Sequence, residues 1–221
     1  MSRKANIKLG KQADAILERH ICSFEGSITL LEITDHSNLR VIGRALTDEQ
    51  MKDNNINMIK GIDYVYVYRD KQGLNHYKYI DTKGFNYDPR YYGSIYDNGM
   101  PEFLLLQIEK LFINSNTKYY GWSNDPNHKT EYIVILINNI IIWLDYKKLV
   151  EFMTPLYDPF EVLTEDLKII NQFIKKPYEI VSIRKHGTEV NKCLKIPTIE
   201  LFQKGIMTGF YPVETEWLNV V

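Results

Sequence analysis

The stretch from Gly61 to Gly84, GIDYVYVYRDKQGLNHYKYIDTKG, constrains the fold of this chain more than any other. Tyr64, Val65, Tyr66, Val67 and Tyr68 are aromatic or β-branched, types that suit a pleated, half-buried surface. Tyr77, Lys78, Tyr79 and Ile80 resume the pattern after RDKQG, where Gly73 supplies the positive φ that a hairpin loop needs. The segment therefore predicts two antiparallel strands. Side chains two residues apart share a face, so Asp63 points with Val65 and Val67, and Asp81 with Tyr79 and Lys83. Pairing of the strands brings Asp63 towards Asp81 and Lys83 at one end of the hairpin. Two carboxylates and an ammonium gathered there suit a hard divalent cation.

Upstream of the hairpin, Ala13, Ile16, Leu17, His20, Ile21 and Phe24 form one apolar stripe at helical spacing, which predicts a helix over Lys11 to Phe24. His20 lies on that stripe, as a core or boundary residue. Ile28 to Ile33 reads as a strand, Arg40 to Leu46 is ambiguous, and Thr47 caps a short polar helix, DEQMKDNN. Downstream, PEFLLLQIEKLFIN from Pro101 predicts a second helix, with Pro in the first turn and an apolar face of Leu104, Leu105, Ile108, Leu111 and Phe112. Glu131 to Ile137 and Ile140 to Leu144 are nearly all apolar on either side of Asn138–Asn139, and read as two buried strands in a hairpin. Short helices follow at Tyr146 to Met153 and Leu163 to Ile174, and YEIVSIRKHG has strand character. The prolines of TPLYDPFE suggest a boundary, giving a core over 1–153 and a C-terminal extension over 154–221 packed on it.

With 221 residues and 44% hydrophobic content, the chain can bury one sizeable core. Its 27 basic and 28 acidic residues exclude a strongly cationic tail-type nucleic-acid binder but leave room for a local basic cleft. Cys22 and Cys193 stand in no metal-ligand or disulfide pattern, which fits a reducing cytoplasm. No secretory h-region is expected at the N-terminus. The run from Tyr132 to Leu144 is short of the roughly 20 apolar residues that a membrane span requires. The histidines are scattered, and no glycine-rich phosphate loop occurs.

Helix, strand, Asp-bearing strand, Asp-x-Lys strand, helix, strand is an order that resembles the PD-(D/E)XK nuclease superfamily, over roughly Lys11 to Leu144. The residues that carry the resemblance are Gly61-Ile62-Asp63 and Asp81-Thr82-Lys83. It implies an α/β class fold, a restriction endonuclease-like core with a central mixed sheet flanked by helices and a C-terminal α/β extension. It also implies a Mg²⁺-dependent deoxyribonuclease, with Mn²⁺ able to substitute. Asp63, Asp81 and the carbonyl of Thr82 would be metal ligands, and Lys83 would orient or activate the attacking water. Glu18, on the first helix, would complete the metal site if it turns inward and is otherwise a solvated residue. Gln107 would project from the second helix toward the cleft, or is otherwise an ordinary helix-surface residue. These types suit phosphodiester hydrolysis, which needs a metal to neutralise the scissile phosphate and acidify a water, and an ammonium to meet developing charge.

Lys175, Lys176, Arg184, Lys185, Lys192 and Lys195 either follow a DNA backbone or form a solvated surface. The tyrosine-rich loop from Tyr87 to Tyr96, with Arg90, either lines a DNA groove or packs its own aromatics. DNA is the expected partner, a homodimer is compatible with cutting both strands, and no membrane is involved. The alternatives are a catalytically inactive protein of the nuclease fold that binds DNA or a protein, and an unrelated α+β protein whose hairpin is only structural.

Overall fold

The computed structural model describes residues 13, 15–24, 27–34, 38–43, 63–161, 166–174, 176–185 and 189–214. The expected hairpin is present as β3 (Tyr64–Arg69) and β4 (Asn75–Phe85), paired antiparallel with Val65 opposite Tyr79 and Val67 opposite Tyr77. Asp70 builds its turn. Its Oδ1 accepts the Gln72 and Leu74 N–H groups at 2.9 and 2.8 Å, and Gly73 takes φ 85°. The other strands of this sheet are β1 (Ser27–Thr34), β2 (Asn38–Gly43), β7 (Tyr132–Ile137), β8 (Ile140–Asp145) and β11 (Met207–Pro212). The sheet has seven strands in the order β11-β8-β7-β4-β3-β1-β2. β1/β2, β1/β3 and β3/β4 are antiparallel, whereas β4 and β7 run parallel. The sheet is thus mixed, and with its flanking helices the fold is α+β, as the sequence predicts. The ambiguous segment from Arg40 is strand as far as Gly43. The helix expected after Thr47 lies outside the described residues.

β7 and β8 form the expected hairpin. Their two-residue loop needs positive φ at both positions, and Asn138 and Asn139 supply 48° and 59°. The first helix is seen over 15–22. Ile16, Leu17 and Ile21 pack with Tyr64, Tyr66, Ile80, Val134, Ile141 and Trp143 in one buried cluster. Each fully buried aliphatic side chain there contributes about 1.5–3 kcal/mol. His20 joins this core, as its place on the stripe predicts. Its Nε2 accepts the Trp143 Nε1–H at 3.0 Å, and burial pushes its pKa down to about 4. The helix lies so near the sheet that a Cβ on Gly84 would sit 2.7 Å from that of Ala13.

The helix predicted from Pro101 is instead a strand, β5 (Phe103–Phe112). Leu, Glu and Lys suit a helix in isolation, but here tertiary pairing overrides propensity. β5 lies antiparallel between β6 (Thr117–Tyr120) and β10 (Glu189–Pro197), and β9 (Glu179–Lys185) completes a second sheet in the order β6-β5-β10-β9. Helices at Tyr146–Met153, Leu167–Phe173 and Thr198–Gln203 accompany these strands in sequence.

The chain folds as two compact units. One unit comprises Met1–Asn86, Lys129–Leu144 and Gly209–Val221, and the other Tyr87–His128 and Asp145–Thr208. The cause is β5, whose principal partner, β10, lies some eighty residues downstream.

The second unit buries an ion pair that the sequence reading placed elsewhere. Lys192, expected in a basic surface segment, is 2% exposed, with its Nζ 3.0 Å from Oε1 of the fully buried Glu109. Tyr157 donates its hydroxyl to Glu109 Oε2 at 2.7 Å. Glu109 and Lys192 are direct cross-strand partners, and the ladder shifts register immediately after Lys192. Removing one partner strands a buried charge, whereas replacing both removes the problem. Glu109→Leu is expected to cost about 3–5 kcal/mol, and Glu109→Leu with Lys192→Met to recover most of it. Hydrogen exchange of the β5 and β10 amides measures both; a single variant as mild as a surface change would refute the estimate.

Candidate metal and catalytic site

Asp63 immediately precedes β3, and its N–H donates to the Ile80 carbonyl at 3.0 Å, which extends the ladder by one bond. Its Oδ2 accepts the Thr82 N–H at 2.8 Å and the Thr82 hydroxyl at 3.0 Å. Two residues apart on β4, Asp81 and Lys83 share a face, as the period-two pattern requires. Lys83 Nζ lies 2.5 Å from Asp81 Oδ1. Asp63, Asp81 and Lys83 thus meet at the end of the hairpin where the sequence places them. The Thr82 carbonyl leaves the strand on the same edge as its N–H, the edge occupied by Asp63.

Burial sets the electrostatics. Asp81 is 3% exposed. Desolvation pushes its carboxyl up to about 8, with the neighbouring charge of Asp63 and a shared hydrogen bond adding to the shift, while Lys83 pulls the other way. Burial also works against the charge of Asp63. The Asp81 carboxyl, the Lys83 ammonium and the two donors of Thr82 more than offset it and hold Asp63 below the ordinary carboxylate range. The two carboxyl groups titrate as a coupled pair.

Two adjoining carboxyl groups of this kind could hold one divalent cation. Among the described residues no group of three His, Cys, Asp or Glu side chains gathers around a common point. Two carboxylates and a backbone carbonyl are a donor set that a cation keeping most of its water, such as Mg²⁺, could take.

Glu18 does not join these residues. The helix over 15–22 packs on the sheet face that carries Tyr64, Tyr66 and Ile80, and strand alternation turns Asp81 and Lys83 to the opposite face. Glu18 Oε1 instead accepts the Tyr64 hydroxyl at 3.0 Å. Gln107 is on β5 in the other unit, where its Nε2 donates to Asn191 Oδ1 at 2.6 Å. Thr82 has a further role that the sequence did not reveal: its side chain, and not only its backbone, anchors Asp63. A hydroxyl between Asp81 and Lys83 was the available signal.

Lys176 is exposed, Arg184 and Lys185 end β9, and Lys175 lies outside the described residues. Arg90 is exposed but engages Asp88 through two nitrogens, with Nη2 2.5 Å from Oδ2. In the same loop Tyr87 packs on the buried Tyr92 and donates its hydroxyl to the Gly93 carbonyl, so this part of the loop folds upon its own aromatics. Lys195 lies over the Phe103 ring at 4.4 Å.

Comparison with protein-family profiles, characterised proteins and solved structures finds no match, so geometry and chemistry carry the functional argument.

The raised Asp81 pKa has a definite sign. The folded state holds this proton more tightly than the unfolded chain, so its contribution is fully present below about pH 4 and is lost as pH rises towards about 8. In the presence of a chelator the thermal midpoint of wild type should fall across that window relative to Asp81→Asn, which keeps the shape and cannot ionise. Parallel midpoint curves for the two proteins would exclude the assignment.

Proposed function

We propose that this chain is a Mg²⁺-dependent deoxyribonuclease of the PD-(D/E)XK type, cutting internal phosphodiester bonds by hydrolysis. The observation that carries the reading is the meeting of Asp63, Asp81 and Lys83 at one end of the β3–β4 hairpin, with both carboxyl groups desolvated. The parallel partner of β4 supports it, since it holds the Asp-x-Lys strand inside the sheet, where its side chains are fixed. The chain departs from the expected order: the long segment from Pro101 that was expected as a helix is the strand β5, and only the four-residue helix Pro89–Tyr92 lies between it and β4.

Asp63 and Asp81, with the Thr82 carbonyl, would hold the cation. When bound, it would neutralise the scissile phosphate and make a water more acidic. Thr82 fixes Asp63 through two hydrogen bonds, which keeps the carboxyl groups aligned. Lys83 would orient the attacking water and meet the negative charge that grows on the phosphate oxygens. The water oxygen bonds to phosphorus, one phosphorus–oxygen ester bond breaks, the attacking water loses a proton and the departing alkoxide gains one. The partner in this reading is DNA, engaged by exposed cations such as Lys176, with a homodimer as the arrangement for cutting both strands. A cytoplasmic setting belongs to the same proposal; no described helix is long and apolar enough to cross a membrane.

A second reading, a DNA- or protein-binding member of the fold without catalysis, is favoured by one observation. Asp81 is deeply buried and already paired with Lys83. Incubation with supercoiled plasmid separates the two. Nicking is expected with Mg²⁺ or Mn²⁺ and not with chelator. Asp63→Ala, Asp81→Ala and Lys83→Ala are each expected to lower the rate about 100-fold or more, the scale of a lost electrostatic group. Absence of nicking with any divalent ion would favour the binding protein, and nicking that survives Asp81→Ala would remove the assigned site.

A further inference from the structure

We propose that Lys83 is a built-in counter-cation, which an incoming divalent ion displaces from Asp81 and thereby arms for phosphate. The inference rests on the reading that Asp63 and Asp81 take such an ion. Lys83 Nζ stands 2.5 Å from Asp81 Oδ1. That is close to the place a Mg²⁺ or Mn²⁺ ligated by the same carboxylate would fill, since metal–oxygen distances are about 2.1 Å. Two cations on one small carboxylate in a desolvated site repel each other, and the repulsion is larger than at an exposed surface. One of them must leave.

The structure provides the exit on the lysine side only. Lys83 is 25% exposed at its side chain and Asp81 4%. The lysine has a flexible four-carbon stem and can carry its ammonium to water, whereas the aspartate has no comparable freedom. Asp63 also stays in place, because Thr82 holds its Oδ2 with a backbone and a side-chain donor. The carboxyl groups are therefore the fixed part of the site and Lys83 the movable part.

An order of events follows. Without a divalent ion, the ammonium is held by its own neighbour and is not presented to a phosphate. Once the ion enters, Lys83 is released at the mouth of the same site. Metal loading precedes the lysine's engagement with DNA, which keeps the protein from gripping DNA in an unloaded state.

Amine acetylation followed by peptide mass spectrometry tests this on the intact chain with Mn²⁺ alone and no DNA, beside calorimetry of Mn²⁺ binding. Lys71, exposed in the hairpin turn, is the internal control. Saturating Mn²⁺ is expected to raise acetylation of Lys83, whose ammonium otherwise sits against Asp81 and is only partly open to the reagent, and to leave Lys71 unchanged. Asp81→Asn should show high Lys83 acetylation without Mn²⁺ and no further rise with it. Mn²⁺ binding that requires Asp81 but leaves Lys83 acetylation flat or lowered would overturn the displacement while keeping the metal site. Absence of Mn²⁺ binding, or binding that survives Asp81→Asn, would overturn the metal reading and this inference together.

Discussion

Parallel strands cannot be joined by a tight turn, and β4 lies parallel to β7. Much else in the chain follows from that one pairing. The connection must make a long excursion, and residues 87–128 make it. A second excursion, 145–208, separates β8 from its sheet neighbour β11. The two excursions find each other, β5 pairing with β10, and form the second unit. Being paired on both edges also fixes β4 inside the sheet, and β4 carries Asp81, Thr82 and Lys83.

Buried charge is handled in two contrasting ways. Glu109 and Lys192 form a complete pair with a tyrosine hydroxyl on the second carboxylate oxygen, closed off from water. Such an arrangement satisfies itself and specifies which residues of β5 and β10 meet. At the hairpin end the balance is incomplete. Two carboxyl groups share one ammonium, and burial, with the charge of Asp63, holds the Asp81 carboxyl above the ordinary aspartate range. Structural ion pairs tend towards the first arrangement, and sites that exchange ligands towards the second.

The parts of the fold legible in the sequence are those decided by short-range physics. Alternation and turn chemistry set the β3–β4 and β7–β8 hairpins, and an apolar stripe set the helix over 15–22. β5 was illegible because Leu104, Leu105, Ile108, Leu111 and Phe112 match a helical stripe as well as a strand buried on both faces, and its partner β10 is distant in sequence. In the site, Asp63, Asp81 and Lys83 were readable, since strand periodicity fixes which side chains share a face. Glu18 was not, because a helix can dock on either face of a sheet and sequence spacing does not say which. Lys192 looked like a surface cation for a similar reason: nothing near it in the chain announces Glu109.

The edge position of β11 has a consequence for synthesis on the ribosome. β8 is made more than sixty residues before the strand that will cover it, and residues 146–206 intervene. During that interval the backbone donors and acceptors along one side of an apolar strand, IIIWLD, stand unfilled. Closure of so distant a contact is slow compared with hairpin formation. The nascent chain thus carries a temporary sticky margin, and the arrival of β11, rather than collapse of the hairpins, marks the moment at which the larger sheet is sealed.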